Sequence, residues 1–101
     1  GARIENDIAV TREHSLALTW DPEDIQDRIE FELYAGGSML SCAFRDDGHF
    51  VLDAAVLAGL EADDHGSMVV RRVRNLPVEL TGIEAGSARI ATTRTLEATV
   101  R

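Results

Sequence analysis

Not one lysine occurs among the 101 residues; all ten basic side chains are arginine. Such a bias fits coding in a GC-rich genome. A functional reading needs the arginines to cluster, which only Arg71, Arg72 and Arg74 do. Cysteine is almost missing too. With Cys42 alone, no internal disulfide and no cysteine metal cluster can form. Cys42 falls on the apolar side of its segment and reads as a small buried hydrophobe. A nucleophile there would need an activating partner, for which His49 is the nearest candidate in the chain. No apolar run approaches the roughly 18 residues that span a bilayer, and no signal-peptide pattern is visible. Basic charge is in short supply: ten arginines against 18 acids leave a net charge of −8. That balance argues against nucleic acid and against anionic membrane surfaces, both of which are bound through basic faces. Direct membrane insertion is likewise not expected.

What is present is a well-patterned apolar fraction of 45%, ordinary for a folded domain. Leu16, Leu18 and Trp20 alternate with Ala17 and Thr19, a half-buried strand with Trp20 as its largest anchor. Ile29, Phe31 and Leu33 alternate with Arg28, Glu30, Glu32 and Tyr34, the best strand in the chain. An edge strand is expected over residues 8–10. Ala35-Gly36-Gly37-Ser38 is a turn. A polar loop is expected over 61–66 and a strand over 67–74 whose facing is open: Met68 and Val70 share one side with Arg72 and Arg74, and Val69 and Val73 share the other with Arg71. Asn75-Leu-Pro77 should interrupt it, with a continuation expected over 78–80, and 81–86 should be loop. Two closing strands are expected over 88–93 and 96–100.

The segment 42–60 carries most of the fold information. Leu40, Cys42 and Phe44 share one face. Asp46-Asp47-Gly48 reads as a tight turn, and residues 49–52 resume an extended run, so a hairpin is expected. Asp53 can cap a helix of about eight residues over 53–60, docked through Val56, Leu57 and Leu60. Short strands at spacings near ten residues with Gly/Asp turns predict an all-β sandwich of about seven strands with one short helical crossover near 53–60. An α+β fold with a full helix over 53–60 is the alternative. Residues 1–101 read as one domain, expected to be part of a larger protein.

Leu16-Ala-Leu-Thr-Trp20-Asp-Pro22, Ile29-Glu-Phe-Glu-Leu33, Cys42, Asp46-Asp47-Gly48-x-Phe50 and Ala54-Ala-Val-Leu57 together resemble β-sandwich modules of predicted lipoproteins and surface proteins of myxobacteria and their relatives. The resemblance runs from about residue 15 to the end. It implies an immunoglobulin-like fold and a place in the cell envelope or outside the cell. In those modules a proline often precedes the short helix where this chain has Asp53, and a serine follows the turn glycine where it has His49. The resemblance brings no catalytic residue. The lipobox cysteine of a lipoprotein is absent from this sequence, and one cysteine cannot form the disulfide pin of antibody-type domains.

Three groups of residues stand out chemically. Asp21, Glu23, Asp24 and Asp27 form one acidic cluster, Asp46 and Asp47 a second, and Glu61, Asp63 and Asp64 a third. Loops at one end of a sandwich converge, so Asp21, Asp24, Asp46 and Asp47 are candidate Ca²⁺ ligands, although their spacing fits no EF-hand. The competing reading is that these acids solvate turns. His14, His49 and His65 are too scattered to require zinc, and no serine has a nucleophile-elbow context. Arg71, Arg72 and Arg74 either pair with Glu30 and Glu32 across neighbouring strands or form a patch for an acidic partner. Tyr34 alone of the aromatics reads as exposed, which disfavours a glycan platform. The expectation is a non-catalytic interaction or spacer module, with protein contact favoured and a calcium-stabilised structural module as the alternative. No cofactor is expected.

Overall fold

The computed structural model describes residues 2–78 and 86–101. Strands dominate and form two sheets. A three-stranded sheet has the order β1-β3-β6, from β1 (Ala2–Arg3), β3 (Leu16–Thr19) and β6 (His49–Leu52). A five-stranded sheet has the order β2-β8-β7-β4-β5, from β2 (Ile8–Val10), β8 (Gly86–Val100), β7 (Asp63–Val78), β4 (Arg28–Ala35) and β5 (Ser38–Arg45). One of the two sheets curls into a half-barrel. The all-β expectation therefore holds. The chain enters along the first sheet, with β1 parallel to β3, and crosses to the second, with β2 parallel to β8.

The core lies between the sheets because the period-two pattern of each strand aims one row inward. β4 contributes Ile29, Phe31, Leu33 and Ala35, all buried, while Arg28, Glu30, Glu32 and Tyr34 line its other face. Opposite them are Leu16, Leu18 and Trp20 of the first sheet and its continuation. Phe44 ties the sheets together: its ring lies 5.3 Å from Trp20 and stacks at 4.3 Å on Phe50. Such pairs add to the burial of their area.

Several expectations are corrected. The segment 42–60 is not a hairpin. β5 pairs only with β4, and β6 pairs with β3, so Asp46-Asp47-Gly48 carries the chain from one sheet to the other. Gly48 still turns, with φ at +92°, and its carbonyl accepts from the Trp20 N–H. The helix α1 is one turn, Ala54–Leu57, with Asp53 as N-cap to the Ala55 N–H at 3.1 Å. Leu57 and Leu60 dock it, but Val56 is exposed, since a single turn presents too few residues to bury a second row.

The supposed loop 61–66 already contains the start of β7, with a bulge between Asp63 and Gly66. Gly66 sits where any Cβ would come within 2.6 Å of the Tyr34 carbonyl oxygen. Asn75-Leu-Pro77 does not interrupt β7, and the two closing strands are one. β4 stops pairing at Arg28↔Val73, so past Val73 β7 and β8 form a two-stranded ribbon, with no strand on the other side of β7 among the described residues. An open side is the setting in which a strand tolerates proline. The 16 residues of β7, at roughly 3.3 Å each, account for most of the 55 Å length of the molecule. The expectations for residues 79–85 lie outside the described residues.

Candidate functional site

The most unusual local chemistry is a carboxylate sealed inside the sandwich. Asp46 is fully buried. It follows β5 at the point where the chain leaves one sheet for the other, and its side chain turns inward beneath the loop that follows Trp20. The indole Nε1 of Trp20 donates to Asp46 Oδ1 at 2.6 Å. The backbone N–H groups of Glu23 and Asp24 donate to Oδ2 at 3.0 and 3.3 Å. Arg72 Nε donates to the same oxygen at 3.0 Å. Burial by itself opposes the charge of Asp46, but these donors outweigh it and hold the carboxyl below its ordinary value.

A second buried carboxylate stands beside it. Asp27 receives Arg74 Nε and Nη2, both at 2.8 Å, in a two-pronged pair, and the Asp46 N–H donates to its backbone carbonyl. The hydrogen bonds from Arg74 lower the Asp27 pKa. Arg72 and Arg74 thus occupy the inward row of β7 beyond Met68 and Val70, where the apolar core gives way to an ionic one.

This knot builds the wall of a cleft of about 340 Å³. Its floor is apolar: Ile4, Trp20, Pro22, Ile29 and Val70. Its rim carries Glu5, Asp21, Glu23, Arg72, Thr92, Thr93 and Arg94. The loop side of the cleft is held by Asp46 through its bonds to Trp20, Glu23 and Asp24, and by Arg72 Nη2, which donates to the Asp21 carbonyl at 2.9 Å. Gly48 is needed beneath it, since a Cβ there would press on Pro22 and the Trp20 carbonyl at 3.3 Å and φ is positive. The other side of the cleft is the free flank of β8.

The residues singled out from sequence are distributed as follows. Arg71, Arg72 and Arg74 form no single patch. Arg71 lies on the outer face and pairs with Glu32, as expected, whereas Arg72 and Arg74 lie on the inner face and pair with Asp46 and Asp27. Period-two alternation forbids the three from sharing a face. Tyr34 is exposed and donates to Glu32 at 2.7 Å. Asp21 is held by Arg3 at 2.5 Å, Asp24 accepts from the Gln26 N–H at 2.9 Å, and Asp47 accepts from the His49 N–H at 3.4 Å. Among the described residues no three His, Cys, Asp or Glu side chains gather as a metal would require. Asp46 in particular is not a solvated turn residue; Trp20 and Arg72 need its charge indoors. Cys42 lies on β5 and His49 on β6, in different sheets, and burial pushes the thiol up to about 11.

Sequence reasoning singled out Asp46 as a candidate Ca²⁺ ligand and Asp27 as part of an acidic cluster, but missed their burial, their arginine partners and the cleft. The available signals were the indole N–H of a core tryptophan, which needs an acceptor, and two arginines in register with Met68 and Val70, which need carboxylates. No protein-family model, curated protein or solved structure matches the chain.

Proposed function

We propose that this domain is a non-catalytic protein-contact module with an immunoglobulin-like sandwich fold, carried by a bacterial cell-envelope or secreted protein. The fold reading is supported by the strand neighbours: β3 with β6 in one sheet, β8-β7-β4-β5 in the other, a first segment shared between both sheets, and a helical turn between β6 and β7. The location is supported by the resemblance of residues 16–57 to envelope modules.

The observation that carries protein contact is the pair of long, uncovered sheet flanks. β5 borders its sheet over eight residues, and among the described residues β8 is flanked by β2 only at Ala98, Thr99 and Val100 of its fifteen. Neither flank holds proline or lysine, the usual devices against edge pairing. A strand edge with unbonded N–H and C=O groups is a template for another chain.

The test is site-specific photo-crosslinking in the intact parent protein in its own cell. Probes at Met39 on β5 and Thr93 on β8 are expected to give a discrete protein adduct at one flank or the other. A probe at Glu13, away from both, serves as control. Adducts at neither flank, or equally at Glu13, would sink the reading.

A further inference from the structure

We infer that the flank of β8 between residues 89 and 96 and the cleft beside it form one binding groove for an extended peptide strand, with an apolar side chain entering the cleft and a carboxylate meeting Arg94. The inference rests on the protein-contact reading and names its surface and partner chemistry.

The backbone supplies the first half of the argument. The Glu97 N–H points to the open side of β8, where Asp7 Oδ1 caps it at 3.2 Å. Main-chain groups alternate along a strand, so Thr95, Thr93, Ala91 and Arg89 point the same way. β2 has ended by then, and no strand pairs with β8 on that side among the described residues. Four successive positions thus offer an N–H and a C=O to an incoming chain.

The side chains supply the second half. The inward row of β8 over this stretch is Ile90, Thr92 and Arg94, in register with Arg74, Arg72 and Val70. A strand laid along β8 would continue that row and set alternate side chains over the floor of Trp20, Ile29 and Val70. The rim charges decide what flanks the apolar one. Glu5 and Asp21 are taken by Arg3, and Glu23 by Arg72. Arg94 has no carboxylate among the described residues, in a chain that carries 18 acids. A second copy does not satisfy it: the inward row of a partner β8 holds Ala88, Ile90, Thr92, Arg94 and Leu96, and that of β5 holds Ser38, Leu40, Cys42 and Phe44, with no acid in either. The partner is therefore a foreign strand of alternating apolar and acidic character.

The probe is a capped ten-residue peptide alternating threonine with valine, with one central valine replaced by glutamate. Binding is followed by Trp20 fluorescence and by amide hydrogen exchange. The glutamate peptide is expected to bind, to protect the amides of Ala91, Thr93 and Thr95, and to bind roughly fivefold more tightly than its glutamine version. Arg94→Gln should erase that preference and leave the fold intact. Thr93→Pro, which removes an N–H on the open side and none from the β7 ladder, should abolish binding, as should N-methylation of alternate peptide amides. No binding at millimolar peptide, protection on β5 instead of β8, or an unchanged preference in Arg94→Gln would each overturn the groove. Adducts at Met39 alone in the crosslinking experiment would leave the protein-contact reading standing while removing this one.

Discussion

The two ends of the sandwich interior are built on opposite principles. Around Leu18, Phe31, Leu33, Leu57 and Met68, all essentially without exposure, the interior is apolar and held by packing. Around Asp46, Asp27, Arg72 and Arg74 it is a hydrogen-bonded ionic knot, with the two carboxylates buried and the arginines reaching toward the surface. The apolar end is tolerant in geometry but costly to hollow out. The ionic end is specific: each partner is needed by the others, because a lone buried charge is far worse than a paired one. The difference explains why the cleft lies at the ionic end. A loop can be pinned open over a cavity by hydrogen bonds to a fixed carboxylate, whereas an apolar lining would close on itself.

Hollowing the apolar end should give the largest effect. Phe31→Ala is expected to lower stability by about 3–5 kcal/mol in urea unfolding, equally at pH 7 and pH 4, since no charge is involved. A pH-dependent loss would show that the two ends are coupled.

At the ionic end, Asp46→Ala is expected to cost about 3 kcal/mol, by stranding Arg72 and the Trp20 indole N–H. Its signature is a shifted Trp20 emission in the folded state, which Phe31→Ala should not share. An unshifted spectrum would mean that Asp46 does not hold the tryptophan.

Acid should separate the two ends without mutation. Asp46 and Asp27 both have folded pKa values below the ordinary 3.8, so the native state binds fewer protons than the unfolded chain at low pH. Their contribution is present in full above that ordinary value and is lost as pH falls through the lower folded values. The melting temperature should therefore drop on going below about pH 4, and the drop should be shallower in Asp46→Asn. An identical pH profile in that variant would remove Asp46 from the explanation.

The smallest effects lie at the surface between the two ends. Arg94→Gln should change stability by less than about 0.5 kcal/mol, because Arg94 bonds to no carboxylate among the described residues. Cys42, with its thiol pushed up to about 11, should react with iodoacetamide at neutral pH more slowly than a free thiol, reaching the free rate only on unfolding.

Local pattern and tertiary outcome divide cleanly along the chain. The rows Leu16/Leu18/Trp20 and Ile29/Phe31/Leu33, the Gly36-Gly37 turn and the Asp53 cap are legible because each depends on neighbours a few residues away. Alternation also puts Arg72 and Arg74 on the side of Val70. It does not say which side faces inward, since Val69 and Val73 make the other side as apolar; the pairing with β4 decides that. The destination of β6 is not legible: Asp46-Asp47-Gly48 is compatible with a hairpin, and only the competition between β3 and β5 for β6 sends it to the other sheet. The same holds for Asp46 itself. Read locally it is a turn residue facing water; it is buried because Trp20, 26 positions away in sequence, and Arg72, a further 26 beyond, converge on it from different strands. The length of the β7–β8 ribbon through Pro77 and the groove along β8 have the same origin, since they depend on where β4 and β2 stop pairing. Sequence by itself determined the inward rows of β3 and β4 and that the chain is a β-fold. Tertiary structure decided which inward residues meet, and hence where the charge is buried and where a flank is left open, because those outcomes depend on contacts between residues far apart in the chain.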